Sequence, residues 1–87
     1  MEVKETFGLF LQKRRKEKKF SQQFLADKAG LDRTYISLIE RGARSPTLTT
    51  VYKLSIALEC DASELIEGLE KDLGINSIDD LKMLVTD

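Results

Sequence analysis

Near the middle of the chain, only two residues, Gly30 and Leu31, separate one helical pattern from the N-cap residue of the next. The earlier helix begins near Gln22, directly after Ser21, a residue type that favours the N-cap position, and it runs into Gly30. The later helix spans about 33–41 and follows Asp32, another favoured N-cap residue. Because glycine adopts a left-handed backbone without steric strain, the pattern predicts two short helices joined by a tight turn.

The rest of the chain also carries the periodicity of helices. It contains one proline, Pro46, and no alternation of apolar and polar residues long enough for a strand. The spacing predicts a first helix over about 5–18, a fourth after a Thr47 cap, and a fifth that begins with a capping box of Asp61 and Glu64. The predicted apolar face of the fourth helix consists of Leu48, Val51, Leu54, Ala57 and Leu58. We therefore expect an all-α fold, a compact five-helix bundle.

The acidic end of the chain is expected to stand apart from this bundle. Gly74 is predicted to end the compact part. No linker is evident before about Lys71, and we expect a domain of residues 1–70 and a tail of residues 71–87. The tail has apolar residues at helical spacing from Ser77 onward and is expected to form a short extra helix or to fray, since it is short and terminal.

The composition excludes several classes of function. No apolar run approaches the roughly 18–20 residues that span a bilayer, so we expect a cytoplasmic protein with no membrane contact. The single cysteine, Cys60, cannot form an intramolecular disulfide. Since there is no histidine, a zinc site of His and Cys ligands and a histidine-assisted hydrolase are excluded. We expect no enzyme activity, no metal, no cofactor and no small-molecule ligand.

The segment SQQFLADKAGLDRTYISLIERG resembles the helix-turn-helix of the lambda-repressor/Cro-like, or XRE-type, DNA-binding family. The similarity covers about residues 5–69, and the phrase LDRTYISLIERG is most similar to restriction–modification controller proteins. The residues that carry it are Gln22, Leu25, Ala26, Gly30, Ile36, Ile39, Glu40, Arg41 and Gly42. The resemblance implies a transcriptional regulator that binds a palindromic operator in double-stranded DNA as a homodimer. It places the recognition helix, about 33–41, in the major groove, with half-sites about 10 bp apart.

The resemblance also implies roles for individual residues. An ion pair of Arg15 and Glu40 is expected to bridge the first and third helices. The residues expected to face base edges are Arg33, Thr34 and Ser37. The residues expected to bind phosphate are Gln22, Tyr35, Arg44, Ser45 and Thr47. The basic residues Arg14, Lys18 and Lys19 are either further phosphate contacts or a solvated helix face.

Three apolar residues exceed what a five-helix monomer needs to bury, and they are expected to form a two-fold dimer contact or to complete the core: Tyr52, Ile66 and Leu69. Within the DNA-binding class, the alternatives to a controller protein are a prophage-type repressor and an antitoxin that represses its own operon. The alternative from another class is a protein-interaction module that uses the same fold.

The net charge of −1 conceals two oppositely charged halves. Residues 1–53 carry 12 basic and 6 acidic side chains, whereas residues 54–87 carry 2 basic and 9 acidic ones. The basic half contains the helix-turn-helix and is expected to face DNA. The acidic half is expected to face away from DNA and toward a partner subunit.

Overall fold

In the computed structural model, which describes residues 3–85, the chain forms six α-helices and no strand within that range. They are α1 Val3–Glu17, α2 Gln22–Ala29, α3 Arg33–Glu40, α4 Leu48–Ala57, α5 Ala62–Leu73 and α6 Ile78–Val85. The all-α fold expected from the sequence is confirmed. Helices α1 to α5 make up the bundle, and α6 is the short extra helix at the C-terminal end.

The turn between α2 and α3 forms as the local sequence predicts. The hydroxyl of Ser21 accepts a hydrogen bond from the backbone N–H of Phe24 at 3.0 Å, which caps the start of α2. At the other end, Gly30 adopts a left-handed backbone with φ of +68°. The N–H of Leu31 then donates to the carbonyl of Ala26 at 2.9 Å, which turns the chain sharply toward α3.

The capping box predicted for α5 is wrong. Asp61 occupies the N-cap with an extended backbone, but its side chain makes no capping hydrogen bond. The N–H of Glu64 donates instead to the backbone carbonyl of Asp61 at 3.0 Å. The Glu64 carboxylate lies 3.9 Å from the guanidinium of Arg14 on α1, so this side chain is directed toward another helix rather than back along its own. Asp32 at the start of α3 likewise makes no side-chain cap.

One continuous hydrophobic core joins α1 to α5. Its buried side chains are Phe7, Phe10, Leu11, Leu25, Ala26, Ala29, Ile36, Ile39, Val51, Leu54, Ala57, Leu58, Leu65 and Leu69. The prediction that Leu48 belongs to this inward face is wrong, since its side chain is 74% exposed. Residues four apart share one side of a helix, and Leu48 therefore lies in line with the exposed Tyr52 and Ile56.

The C-terminal helix is separated from the bundle by a second left-handed glycine. Gly74 has φ of +74° and ends α5, which runs to Leu73 without interruption. No residue of α6 is buried. A separate tail stays a prediction, but its boundary belongs at Gly74 rather than at residue 70, because residue 70 lies inside α5.

Candidate nucleic-acid interface

Helix α3 is anchored by one face and presents its N-terminal side chains on the other. Ile36 and Ile39 are fully buried in the core. Arg33 and Thr34 are exposed, and Ser37 is half-buried. The three side chains predicted to face base edges are therefore accessible on the N-terminal part of one short helix, the part of a recognition helix that enters a major groove.

A buried cluster of hydrogen bonds holds the C-terminal end of α3. The guanidinium of Arg15 on α1 donates two hydrogen bonds to the Glu40 carboxylate, from Nε to Oε2 at 2.6 Å and from Nη2 to Oε1 at 3.0 Å. Its Nη1 donates to the backbone carbonyl of Phe20 at 2.8 Å, in the connection that precedes α2. The hydrogen bond with Glu40 raises the pKa of Arg15 above its ordinary value, so this guanidinium is always charged. A single side chain thus joins α1, the loop before α2, and α3.

Gln22 completes this cluster at the start of α2. Its Nε2 donates to Glu40 Oε1 at 3.0 Å, which commits one amide hydrogen to bracing α3. A side-chain amide has two hydrogens and an oxygen acceptor. Gln22 is only partly buried, so the structure places the residue expected to bind phosphate where it also supports the recognition helix.

A second set of contacts links the N-terminal half of α3 to α4. Tyr35 Oη and Thr50 Oγ1 share a hydrogen bond at 3.2 Å. Thr50 in turn donates its backbone N–H to the N-cap hydroxyl of Thr47 at 3.1 Å, and the two threonine hydroxyls lie 2.9 Å apart. The guanidinium of Arg44 lies 5.7 Å from the centre of the Tyr35 ring, within cation–π range. The loop after α3 is thereby held beside the recognition helix.

The loop and the start of α4 are suited to hold an anion. Arg44, Ser45 and Thr47 are all exposed. The first backbone N–H groups of a helix have no partner within the helix, and the helix dipole adds positive potential there. The structure therefore brings together the loop residues predicted to bind phosphate, Tyr35, and the N-terminus of α4, which lie along one edge of α3.

The basic run at the end of α1 is partly neutralised within the molecule. Arg14 lies 3.9 Å from the Glu64 carboxylate, and the Lys18 ammonium lies 3.8 Å from that of Glu59. Lys19 sits in the following turn with a left-handed backbone, φ 61°. The two oppositely charged halves of the sequence therefore meet along one side of α1, and the separation of charge is less complete than the sequence predicts.

An apolar stripe on α4 and α5 remains open to solvent. We call it the α4–α5 stripe, and it consists of Leu48, Tyr52, Ile56 and Ile66, which are 74%, 57%, 73% and 41% exposed. Tyr52 and Ile66 were predicted to form a dimer contact. Leu69, expected either in the same contact or in the core, is only 8% exposed and packs into the core, so it is not part of the stripe.

The structure contains little that suits other chemistry. Among residues 3–85, no group of three or more His, Cys, Asp or Glu side chains is placed to hold a metal ion. Over the same range, no helix combines the length and apolar character that crossing a bilayer requires. Burial is the main cause that raises the pKa of the Cys60 thiol, which favours its uncharged, less nucleophilic form.

Three features of this surface were not found from the sequence. Gly8 brings α1 against the backbone at the end of α3. Thr50 connects Tyr35 to the cap of α4. Leu48 and Ile56 extend the predicted dimer contact. Only the last carried a usable signal, the spacing of four residues from Leu48 to Tyr52 and from Tyr52 to Ile56, whereas the other two depend on which helices meet.

Comparison with known proteins gives a consistent result. A model of the helix-turn-helix family matches residues 11–65. The control protein C.MunI of a Mycoplasma species is 43% identical over 72 residues, which cover 82% of this chain and 97% of that protein. The crystal structure of the restriction–modification controller protein C.AhdI from Aeromonas hydrophila matches with a TM-score of 0.68 and 41% identity, over 70% of this chain and 92% of that one.

A third similar protein, the restriction–modification controller C.Esp1396I, has been solved with DNA. Its tetramer on a natural operator of 35 base pairs matches with a TM-score of 0.75 and 36% identity, over 80% of this chain and 92% of that one. It has also been solved on a duplex of 19 base pairs. Four further structures of this protein each carry one substitution. Three of the substitutions replace consecutive residues, an arginine, a threonine and a tyrosine, and the fourth replaces an arginine nine residues after the tyrosine.

Proposed function

This chain belongs to the helix-turn-helix family, and on that basis we propose that it is a transcriptional regulator that binds a specific double-stranded DNA sequence as a homodimer. Its biological role in this proposal is that of a restriction–modification controller protein, and it works in the cytoplasm, where its operator lies. The observation that carries the proposal is α3, a short helix fixed at both ends whose exposed N-terminal side chains are free to meet a groove.

The base-reading set consists of Arg33, Thr34 and Ser37. Arginine can donate two parallel hydrogen bonds to O6 and N7 of guanine, the most frequent specific contact in the major groove. Threonine offers a methyl group to thymine or a hydroxyl to a base, and serine offers a hydroxyl. The four residue types replaced in the C.Esp1396I variants recur in this chain at the same spacing, as Arg33, Thr34, Tyr35 and Arg44.

The phosphate-binding set has two parts, which are linked to different ends of α3. Tyr35, Arg44, Ser45 and Thr47 form one part, with the amide groups at the start of α4, and Gln22 at the start of α2 forms the other. Contacts to phosphate fix the position of a protein on the duplex but carry no sequence information themselves. Phosphate contacts from both parts would hold α3 at a fixed depth and angle in the groove.

Selection of bound sequences from a random DNA pool tests the proposal directly. A dimer of two-fold symmetry is expected to enrich an approximate palindrome whose half-site centres lie about 10 bp apart, one helical turn, so that both α3 helices approach the same face of the duplex. Enrichment of a single unrepeated half-site would contradict the homodimer. Failure to enrich any sequence, with no salt-sensitive binding to random DNA, would instead favour the protein-interaction module.

The α4–α5 stripe is the surface we assign to the dimer. Replacing Ile66 with lysine, or Tyr52 with glutamate, is expected to raise the dissociation constant of the dimer at least roughly tenfold, since each places a charge in a desolvated contact. Analytical ultracentrifugation across a concentration series measures this change. The matched control is Ile78→Lys on α6, at an apolar side chain that is 67% exposed and lies outside the stripe. Equal weakening by the control would contradict the assignment of the stripe.

A further inference from the structure

We propose that Gly8 is a positioning residue for DNA recognition: the missing side chain at this place on α1 sets how α3 is seated and thereby which base pairs its short side chains can read. The inference rests on the proposed function and deepens it. It concerns a residue that does not touch DNA and that lies outside the helix-turn-helix itself.

The observation is a close approach between two backbones. A Cβ atom added at Gly8 would lie 2.3 Å from the carbonyl oxygen of Ile39 and 2.7 Å from that of Glu40. Both atoms belong to the last turn of α3, so no flexible side chain can move aside to make room. Since carbon and carbonyl oxygen in close contact are about 3.3–3.6 Å apart, any residue other than glycine requires one helix to move by roughly 1 Å.

The same end of α3 is fixed by other contacts, which determine what such a movement would do. Arg15 and Gln22 hold the Glu40 carboxylate, and Tyr35 is joined to Thr50 nearer the other end of α3. The buried face of the helix is packed into the core without exposed surface at Ile36. A displacement at Gly8 is therefore transmitted to α3 as a shift or tilt of the whole helix, because packed interiors have little free space to absorb it.

The base-reading side chains differ in their ability to follow such a shift. A hydrogen bond between nitrogen and oxygen is effective only between about 2.7 and 3.2 Å, a window narrower than the displacement. Arg33 has a long, flexible side chain that can compensate. Thr34 and Ser37 have a single rotatable bond before their hydroxyl groups and cannot. The base pairs read by Thr34 and Ser37 should therefore lose discrimination before the one read by Arg33 does.

The chain offers a matched control in Gly68 on α5. A Cβ atom there would lie 2.5 Å from two ring atoms of Phe10, so alanine at this position also overpacks the bundle. The obstacle is a side-chain ring between α1 and α5 rather than the backbone of α3. Both substitutions crowd the bundle, Gly8→Ala against backbone and Gly68→Ala against a ring that can turn, and only Gly8→Ala acts on the recognition helix.

The experiment measures the ratio of affinities for the selected operator and for random duplex DNA, at one salt concentration, for the full chain and both variants. A variant that is partly unfolded binds both DNAs more weakly by the same factor, so the ratio does not respond to a loss of stability alone. Sucrose is added to all samples to raise the folded fraction, and circular dichroism measures that fraction.

Gly8→Ala is expected to lower the ratio by about tenfold or more, with binding to random DNA changed only as far as its folded fraction requires. Gly68→Ala is expected to keep the ratio of the unchanged protein. An unchanged ratio in Gly8→Ala, or an equal loss in Gly68→Ala, would overturn the inference. A protein that shows no preference for any sequence before substitution would overturn the proposed function itself, which keeps the two failures distinct.

Should Gly8→Ala not fold even in sucrose, the substitution is repeated with Glu59→Asn. Glu59 has a left-handed backbone with φ of 59°, and asparagine tolerates that conformation better than glutamate does. Within residues 3–85, the Glu59 carboxylate lies near the ammonium groups of Lys18 and Lys28, and such surface pairs contribute little to stability. The ratio is then compared between Glu59→Asn and the double variant, with the same expected and contradicting results.

Discussion

Replacing Glu40 with alanine is expected to lower the free energy of unfolding by about 3–5 kcal/mol, the usual effect of removing one partner from a buried ion pair. The carboxylate accepts three hydrogen bonds, two from Arg15 and one from Gln22. Its loss leaves the Arg15 guanidinium, a residue only 8% exposed, with a buried charge and no counter-ion. Because small domains have total stabilities of about 5–15 kcal/mol, this loss should remove a large part of the stability and lower the urea concentration at which half of the protein is unfolded.

Urea denaturation followed by circular dichroism measures this loss. The control is Glu64→Ala, which removes a carboxylate 3.9 Å from Arg14 at an exposed position and should change the free energy of unfolding by no more than about 1 kcal/mol. Replacing the pair together, as Arg15→Met with Glu40→Leu, should destabilise less than Glu40→Ala, since no charge is left unpaired. A loss in Glu40→Ala as small as that of the control would mean that solvent reaches Arg15 and that the cluster does not hold α3.

Replacing Arg33 with alanine is expected to weaken binding by about 1–3 kcal/mol, or roughly 5–150-fold, for each half-site of the operator at fixed salt. The guanidinium would lose two hydrogen bonds to one guanine, and the selected sequence should become degenerate at that base pair in each half-site. Stability should hardly change, because the Arg33 side chain is exposed. Fluorescence anisotropy with the operator and with single-base variants of it measures both effects.

Arg44→Ala is the control that separates base recognition from phosphate binding. Arg44 is assigned to phosphate, so its loss should weaken binding to operator and random DNA by similar factors. It should also reduce the slope of log affinity against log salt by about one for each subunit, or about two for the dimer. Arg33→Lys tests the geometry, since an ammonium keeps the charge but cannot form the planar fork of two bonds. If Arg33→Ala kept the full affinity for the operator, the proposal that α3 recognises the bases would be contradicted.

Much of the fold follows from local chemistry that the sequence displays. The start of α2 at Ser21, the left-handed turn at Gly30 and the end of α5 at Gly74 each depend on a few neighbouring residues, and each was predicted at or within a residue of its place. The capping box at Asp61 and Glu64 failed for a different reason. In a capping box the glutamate carboxylate accepts a hydrogen bond from the backbone N–H of the N-cap residue. Here the Glu64 carboxylate is directed instead toward the guanidinium of Arg14 on α1.

The exposed side chains of the candidate site could be predicted from the sequence, but the contacts between helices that position α3 could not. Arg33 and Thr34 follow directly from their place after the turn, and they are accessible as expected. The contact at Gly8 depends on the distance between α1 and the last turn of α3, which no periodicity in either segment records. Leu48 was misplaced because apolar residues at its spacing fit either of two faces of α4, and only the packing of α5 decides which face is inside.

Ion pairs between the basic and acidic halves of the sequence also reduce the positive charge that is available to DNA. Arg14 and Lys18 lie near Glu64 and Glu59, so part of the basic excess of residues 1–53 is balanced inside the monomer. The cations that remain beside the recognition helix are therefore fewer than the count suggests. This arrangement should limit indiscriminate attraction to DNA and leave selectivity to short-range contacts.

The residues that hold α3 and the residues that would read DNA do not overlap. Arg15, Gln22 and Glu40 share one hydrogen-bonded cluster, so a change at any of them must be compensated at the others. Arg33, Thr34 and Ser37 have no part in that cluster, and they can be exchanged while the frame stays intact. A protein divided in this way can acquire a new target by replacing a few surface residues, and the same division offers a designer a scaffold whose specificity can be rewritten without rebuilding its core.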